Sequence, residues 1–222
     1  MRRRVTALRR VGSGVSMIVA PLLLLTSSAL GPPHRASQQL ADELPHIAAN
    51  PDRFLTFVLV SLAAQALLVP AVMGITHLLR GRRAILAVMG MALTMVGILS
   101  YAVVHGVQLV QQQMVHAADQ EQMIALLQRL EAGIGLKAIF LVFILGLFLG
   151  WVILSIGMFT TPLVPRAVPI SVLASLVLNF AGLELLSRFL FLVGLAWLGV
   201  VVVTMPDEVW LSAAGGAEPA NI

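Results

Sequence analysis

The stretch GLELLSRFL, residues 182–190, lies in the middle of a long apolar run and holds the only two charges of that run. The run covers residues 167–204, and a continuous helix of that length would be about 57 Å long, against a hydrocarbon core about 30 Å thick. We therefore predict that the chain turns near Asn179 and Gly182, so that Glu184 and Arg188 mark the tip of a helical hairpin at the membrane surface. The alternative is one long helix in which Glu184 and Arg188 neutralise each other one turn apart.

The composition of the chain excludes a water-soluble domain. Of 222 residues, 59% are hydrophobic and 11% are charged, and the mean hydropathy is +0.97, whereas a soluble domain carries about 25% charged residues. The chain has no cysteine, which excludes disulfide bonds and thiolate chemistry. Although the isoelectric point is near 11.0, the arginines cluster at the ends of apolar segments, where they bind lipid phosphate and fix orientation. We therefore expect a lipid bilayer as partner and no nucleic acid.

The apolar segments predict an all-α, polytopic transmembrane helix bundle that forms a single membrane domain over residues 1–222. A spanning helix needs about 20 mainly apolar residues. Six predicted spans meet this requirement approximately, at residues 11–30, 54–79, 84–110, 133–159, 167–183 and 186–204. The single-helix alternative for the last run gives five spans. The basic start and the SSA of residues 27–29 also resemble a signal peptide, and cleavage there would leave the later topology unchanged.

The charge distribution predicts the orientation of the six spans. With the N terminus in the cytoplasm, the inner segments before the tail carry arginines and no acid: Arg2, Arg3, Arg4, Arg9, Arg10, Arg80, Arg82, Arg83 and Arg166. The acids fall on the outer segments: Asp42, Glu43, Asp52, Asp119, Glu121, Glu131 and Glu184. This asymmetry is the one that the positive-inside rule describes. The acidic tail fits either side of the membrane, so the charges leave the position of the C terminus open.

Two outer segments are predicted to form short amphipathic helices. Residues 119–132 place Met123, Leu126, Leu127 and Leu130 on one face, with Asp119 and Gly133 as candidate caps. Residues 37–49 place Leu40, Leu44 and Ile47 on a similar face, interrupted by Pro45. Both segments are too short and too polar to cross a bilayer. We expect them to lie on the outer leaflet or to fold over the bundle, and a functional lid is the alternative.

Glycines at helical spacing predict close packing between spans. Gly146, Gly150 and Gly157 follow one face of the fourth span, and Gly90 and Gly97 follow the third, with Thr94 between them. Small residues let helix backbones approach in lipid. Gly146, Gly150 and Gly157 are also the candidate surface for a second copy or a membrane partner.

Metal binding and catalysis have little support in the sequence. Met91 and Met95 lie one turn apart, and four histidines lie on outer segments (His34, His46, His105 and His116), which are ligand types that suit copper. Methionine is also a common filler of apolar helix interfaces, and we prefer that interpretation. The sequence contains no zinc-protease, nucleophile-elbow or phosphate-loop motif. We expect no catalytic residue, metal or cofactor.

One group of polar residues remains as a candidate ligand site. Polar side chains inside spans are costly, so each requires a partner or a function. Seven such residues fall in the outer third of the predicted spans: Tyr101, His105, Gln108, Lys137, Asn179, Glu184 and Arg188. The hypothesis is that they share an outward-facing polar vestibule. In particular, we expect Lys137, Glu184 and Arg188 to form one cluster with His105 close by, whose net positive charge would favour an anionic ligand or lipid headgroup. The alternative is that each residue lies separately at the interface, with Lys137 extending towards the surface.

The layout resembles a bacterial family of six-span membrane proteins that is still described as a domain of unknown function. The resemblance rests on LLRGRR after the second span, the glycine-rich fourth span, the VPR turn that follows it, and AWLGVV in the last span. It implies a multi-pass protein of a bacterial inner membrane and no particular activity. From the sequence we therefore expect a small carrier or ligand-binding membrane protein. The alternative is a structural or interaction subunit of a membrane complex without a ligand of its own.

Overall fold

The computed structural model describes residues 2–31, 40–79, 84–115 and 119–215, and these parts of the chain are helical apart from short connections. Arg80, Arg82, Arg83, His34 and His116, which enter the predictions above, lie outside these ranges. The described residues form the helices α1 (Arg2–Leu30), α2 (Leu40–Ala49), α3 (Pro51–Leu78), α4 (Ala84–Met114), α5 (Gln120–Ala132), α6 (Ile134–Phe159), α7 (Ala167–Phe180), α8 (Glu184–Thr204) and α9 (Asp207–Gly215).

Among the described residues, 5 helices are long and apolar enough to cross a membrane, namely α1, α3, α4, α6 and α8. This confirms the prediction of an all-α transmembrane helix bundle. The shorter apolar helix α7 has 14 residues, and it therefore rises about 21 Å, less than the thickness of the hydrocarbon core. It packs along α8 through Ser171, whose hydroxyl donates to the carbonyl of Leu190 at 2.6 Å.

The long run of residues 167–204 is divided into α7 and α8 at Gly182, which confirms the predicted hairpin. Gly182 has a φ of 78°, the left-handed conformation that glycine adopts without strain. The Leu183 N–H donates to the Leu178 carbonyl at 3.0 Å, and the Gly182 N–H donates to the Asn179 carbonyl at 3.2 Å. This pair of bonds is the Schellman arrangement that ends many helices. The alternative of one continuous helix over residues 167–204 is therefore wrong.

Contacts between antiparallel helices define two ends of the bundle. Arg10, near the start of α1, donates a hydrogen bond near the end of α8. Arg188, near the start of α8, donates a hydrogen bond to the Leu24 carbonyl, near the end of α1. We name the first end the arginine face and the other the acid face. At the arginine face the ends of α3 and α6 also meet, because Leu79 lies against Gly157. Asp119 and Glu184 belong to the acid face.

The predicted glycine surfaces on the third and fourth spans pack against each other inside the chain. A Cβ added to Gly150 would lie 2.6 Å from the Thr94 nitrogen, and one added to Gly146 would lie 2.8 Å from the Gly97 nitrogen. The backbones of α4 and α6 are therefore in direct contact. An association with a partner through Gly146, Gly150 and Gly157 stays a prediction. Within this chain, Thr94, Gly97 and Leu79 already contact those glycines.

A second close crossing joins α1 to α8, and it is not predicted from the sequence. A Cβ on Gly199 would lie 2.6 Å from the Gly14 carbonyl oxygen, and one on Gly14 would lie 2.6 Å from Val203 Cγ2. Met17 and Ala20 on α1 are fully buried, as is Leu198 on α8. Helix α1 is thus an integral part of the core.

The described part of the tail, helix α9, packs at the arginine face, whereas the sequence left the position of the tail open. The Arg10 guanidinium donates from Nε to Asp207 Oδ1 at 3.1 Å and from Nη1 to the Val202 carbonyl at 3.2 Å. It also donates to the Val203 carbonyl. Trp210 on α9 stacks on His77 of α3 with ring centroids 4.1 Å apart.

Most helix boundaries agree with the predicted ones within a few residues, but two differ more. Helix α1 begins at Arg2 rather than Val11, so the first arginines continue the helix. Helix α4 continues through the glutamines to Met114, not to Val110. Glutamine is a good helix former, and Gln111 and Gln112 are buried rather than exposed as a loop.

The two predicted amphipathic helices are present and pack on each other at the acid face. Leu44 of α2 joins Met114 of α4 and Leu127 of α5 in one apolar cluster. Asp119 accepts a hydrogen bond from the Gln122 N–H at 3.1 Å and so caps α5 as predicted, and Gly133 ends it. Of the predicted stripe, Leu127 is fully buried, but Leu126 and Leu130 are exposed at the protein surface.

Candidate functional site

A buried polar group lies between α3 and α4 in the half of the bundle that leads to the acid face. It consists of Gln65 near the middle of α3 and of His105 and Gln108 on one face of α4. Their exposed fractions are 3%, 0% and 8%, so all three are more than nine-tenths buried. We name these three residues the polar site.

His105 connects the two helices of the polar site. Its Nδ1 lies 3.2 Å from Gln65 Nε2 and 3.0 Å from the carbonyl oxygen of Tyr101, one turn earlier on α4. These two contacts hold the ring in position and direct its second nitrogen, Nε2, away from both groups. Because a neutral imidazole carries a single N–H, the tautomer decides which neighbour is hydrogen-bonded through Nδ1.

Each residue of the polar site has a buried polar atom without a hydrogen-bond partner among the described residues: Gln65 Oε1, His105 Nε2 and Gln108 Oε1. A buried unsatisfied polar group costs about 1–3 kcal/mol. Three of them on two adjacent helices are unusual, because buried polar groups are normally paired with protein or with ordered water. The arrangement therefore calls for hydrogen-bonding groups that the described chain does not supply.

Aromatic rings surround His105. The Tyr101 ring meets it edge to face with centroids 4.4 Å apart, and the Phe57 ring lies 6.2 Å away. On its other side, Tyr101 stacks on Phe143 of α6, also at 4.4 Å. The His105 ring therefore lies next to rings from α3 and α4, and Phe143 of α6 packs behind Tyr101.

Helices α2 and α5 cover the acid-face end of α3 and α4. Ile47 of α2 packs with Phe54, Phe57 and Val58 of α3, and of these Phe57 is the residue whose ring lies near His105. Glu43, on the same short helix, is buried too, with an exposed fraction of 7%. Helix α2 therefore lies between the acid face and this part of the bundle.

Glu184 and Arg188 form an ion pair near the tip of the α7–α8 hairpin, one turn apart on α8. Arg188 also donates from Nη1 to the Leu24 carbonyl of α1 at 3.0 Å, so it links α8 to α1. The pair is neutral overall. The expectation that His105 lies close to it stays a prediction.

Lys137 does not join this ion pair, contrary to the expectation of one charged cluster. It is exposed near the start of α6, and no ion pair between Lys137 and Glu184 occurs in the described parts of the chain. The reason is that Arg188, on the same helix as Glu184, is close enough to neutralise it, which Lys137 on α6 is not. The predicted net positive charge, and with it the argument for an anionic ligand, loses its basis.

Asn179 is also exposed, at the end of α7, where its carbonyl takes part in the turn at Gly182. Of the seven candidate residues, Tyr101 and His105 are in contact, and Gln108 lies buried one turn further along α4. The Glu184–Arg188 pair forms separately on α8. Lys137 and Asn179 lie apart from them.

Gln65 is the residue of this site that the sequence interpretation missed. It is an amide near the middle of an apolar helix of 28 residues. The cost of an uncompensated polar group in the hydrocarbon core could have identified it. The interpretation considered the outer third of the spans and therefore did not reach a residue near the centre.

The described residues contain no group of three or more His, Cys, Asp or Glu side chains that could hold a metal ion. The chemistry available at the polar site is hydrogen bonding by two amides and one imidazole, next to aromatic rings.

No protein-family model, curated protein or solved structure matches this chain. Residue functions therefore have to be argued from the geometry of the chain itself.

Proposed function

We propose that this chain is a small carrier or ligand-binding membrane protein whose ligand occupies the polar site. The observation that carries the proposal is the set of three buried, unpartnered atoms on Gln65, His105 and Gln108. A ligand that supplies the missing hydrogen bonds would recover part of the cost of burying these groups. We therefore propose a smaller site than the vestibule that the sequence suggests, formed by Tyr101, His105, Gln108 and Gln65.

The proposed orientation is N terminus in the cytoplasm of a bacterial cell, with α7 and α8 crossing the membrane as the fifth and sixth spans. Support comes from the arginines of the inner segments and from the contacts that hold Arg10 and Asp207 at one end of the bundle. In this orientation the polar site lies in the outer half of the bundle, below α2.

Native mass spectrometry of the purified protein tests the proposal. The wild-type protein is expected to carry a bound small molecule that is retained in detergent. Gln65→Leu and His105→Phe should each reduce its occupancy at least fivefold, because each removes one of the unpartnered groups. Ser155→Ala is the matched control, since Ser155 is another fully buried residue with an unpartnered polar atom but lies elsewhere, on α6.

Circular dichroism and gel filtration should show that all three variants remain folded. A wild-type protein without any bound molecule, or one whose ligand is unaffected by both Gln65→Leu and His105→Phe, would contradict the proposal. An empty protein that retains a second membrane protein would instead favour the structural-subunit alternative.

A further inference from the structure

The Gln65–His105 pair presents one free donor and one free acceptor in either neutral tautomer of the imidazole. The reason is that Nδ1 is shared by two neighbours, the Gln65 amide and the Tyr101 carbonyl. Only one hydrogen is available to the imidazole, and an amide offers either its N–H or its oxygen to a given neighbour.

In the first tautomer the hydrogen is on Nδ1, which donates to the Tyr101 carbonyl. Because an N–H cannot donate to another N–H, the Gln65 amide then turns its oxygen towards Nδ1 and shares that hydrogen as a second acceptor. Its NH₂ group becomes the free donor group. The free acceptor is the lone pair of His105 Nε2.

In the second tautomer the hydrogen is on Nε2, and Nδ1 accepts from the Gln65 NH₂ group. The free donor is now His105 Nε2–H, and the free acceptor is Gln65 Oε1. Both atoms have no partner in the described chain. In each neutral form, one residue of the pair supplies the free donor and the other supplies the free acceptor.

The surroundings disfavour an ion at this position. The neighbours of His105 are a backbone carbonyl, an amide and aromatic rings, which are all neutral. The charges of Glu184 and Arg188 are paired with each other. A buried ion without a counter-charge is strongly disfavoured, so a neutral ligand is favoured over either sign of charge.

We propose that the polar site takes a small neutral molecule with both a hydrogen-bond donor and an acceptor, of the amide or hydroxyl class, and with an apolar body. The donor and acceptor pair with Gln65 and His105, and the apolar body lies against Phe57 and Tyr101. This inference depends on the proposed function, because it names the ligand class of the same site.

Saturation-transfer NMR on the full chain in lipid nanodiscs tests the ligand class with three probes of similar size. Propionamide is neutral and carries a donor and an acceptor, propylammonium is a cation and propionate is an anion. After subtraction of the signal from empty nanodiscs, propionamide is expected to give at least a threefold stronger signal than either ion. Gln65→Leu and His105→Phe should abolish this excess, and Ser155→Ala should retain it.

A stronger Gln65-dependent signal from propylammonium or propionate would overturn the inference. So would the absence of a Gln65-dependent signal from all three probes, which would indicate that water alone occupies the polar site. The proposed function fails separately, when native mass spectrometry finds no molecule whose binding depends on Gln65 or His105. A bound molecule that proves to be an ion would leave the proposed function intact and refute only the ligand class.

Discussion

Gly182 decides how the longest apolar run of the chain is divided. Its positive φ lets the chain leave α7 and begin α8 within three residues, and Leu183 follows it as the N-cap of α8. The residues on both sides are strongly apolar, so neither composition nor length determines the turning point. Gly182 determines the turning point, because residues with a side chain are strained in the left-handed conformation.

Gly182→Ala is expected to destabilise the protein by about 1 kcal/mol through backbone strain alone. A Cβ at this position would meet nothing within 4 Å, so no clash contributes. Gly106→Ala is the control, because it is equally open but lies inside α4. That change should stabilise the protein by about 0.5–1 kcal/mol. Thermal unfolding in detergent measures both, and equal effects of the two changes would refute the strained turn.

Arg9 and Arg10 are adjacent, but only Arg10 is expected to contribute to stability. Arg10 binds Asp207 and the last carbonyls of α8, while Arg9 is exposed. Arg10→Met should cost about 1 kcal/mol, because a cation at a helix C terminus and its partly exposed ion pair are lost. Arg9→Met removes the same charge and should leave the melting temperature unchanged. An equal loss in both variants would mean that the charge, rather than the contacts of Arg10, matters.

At the scale of single residues, the sequence was informative where a local rule applied. Asp119 and Gly133 were predicted as caps because capping has a short-range signature, and both were confirmed. The partner of Glu184 was predicted in part, since an acid and a base one turn apart pair readily. The contact of His105 with Gln65 was not predictable, because it depends on which helix packs beside α4.

At the scale of helices, the contact between α4 and α6 depends on the absence of side chains. Gly150→Ala should destabilise the bundle by about 2 kcal/mol or more, since its Cβ would lie 2.6 Å from the Thr94 nitrogen, a backbone atom. Gly135→Ala, on the same helix with nothing within 4 Å, is the control and should not destabilise it. Thermal unfolding followed by circular dichroism distinguishes the two. If Gly150→Ala unfolds like the wild type, α4 and α6 are not in contact there.

The packing of α2 against α5 depends on the buried side of α5, which carries Leu127. Leu127→Asp should speed amide hydrogen exchange throughout α2 and α5, because Leu127 is fully buried against Leu44 and Met114. Leu126→Asp, one position away and exposed, should leave exchange in α2 unchanged. Faster exchange in α2 for both variants, or for neither, would show that α2 does not pack on the buried side of α5.

Helix existence could be predicted well from this sequence, and helix pairing could not. Apolar length identified the spans, and the small residues of α4 and α6 suggested their close packing. Yet Gly14 and Gly199 are far apart in the chain, and nothing local indicates that they meet. For the same reason, the pattern on α5 did not show which of its leucines would face the protein.

For the whole molecule, we propose that α9 lies on the side of the membrane on which α1 begins, while the polar site lies in the half of the bundle towards the other side. This requires an even number of crossings and therefore makes α7 a true span despite its 14 residues. The antiparallel contacts of α1 with α8 and of α7 with α8 both agree with it. Reporter fusions near Pro162 should accordingly be cytoplasmic, and those near Pro45 external.

The most direct measurement uses two single-cysteine variants, since the natural chain has no cysteine. Leu185→Cys at the hairpin tip and Leu211→Cys on α9 replace two exposed leucines at opposite faces. In intact cells, a membrane-impermeant thiol reagent should label Leu185→Cys, and it should label Leu211→Cys only after the membrane is opened. Labelling of Leu211→Cys in intact cells, with protection of Leu185→Cys, would contradict the six-span topology and the position of the polar site in the outer half of the bundle.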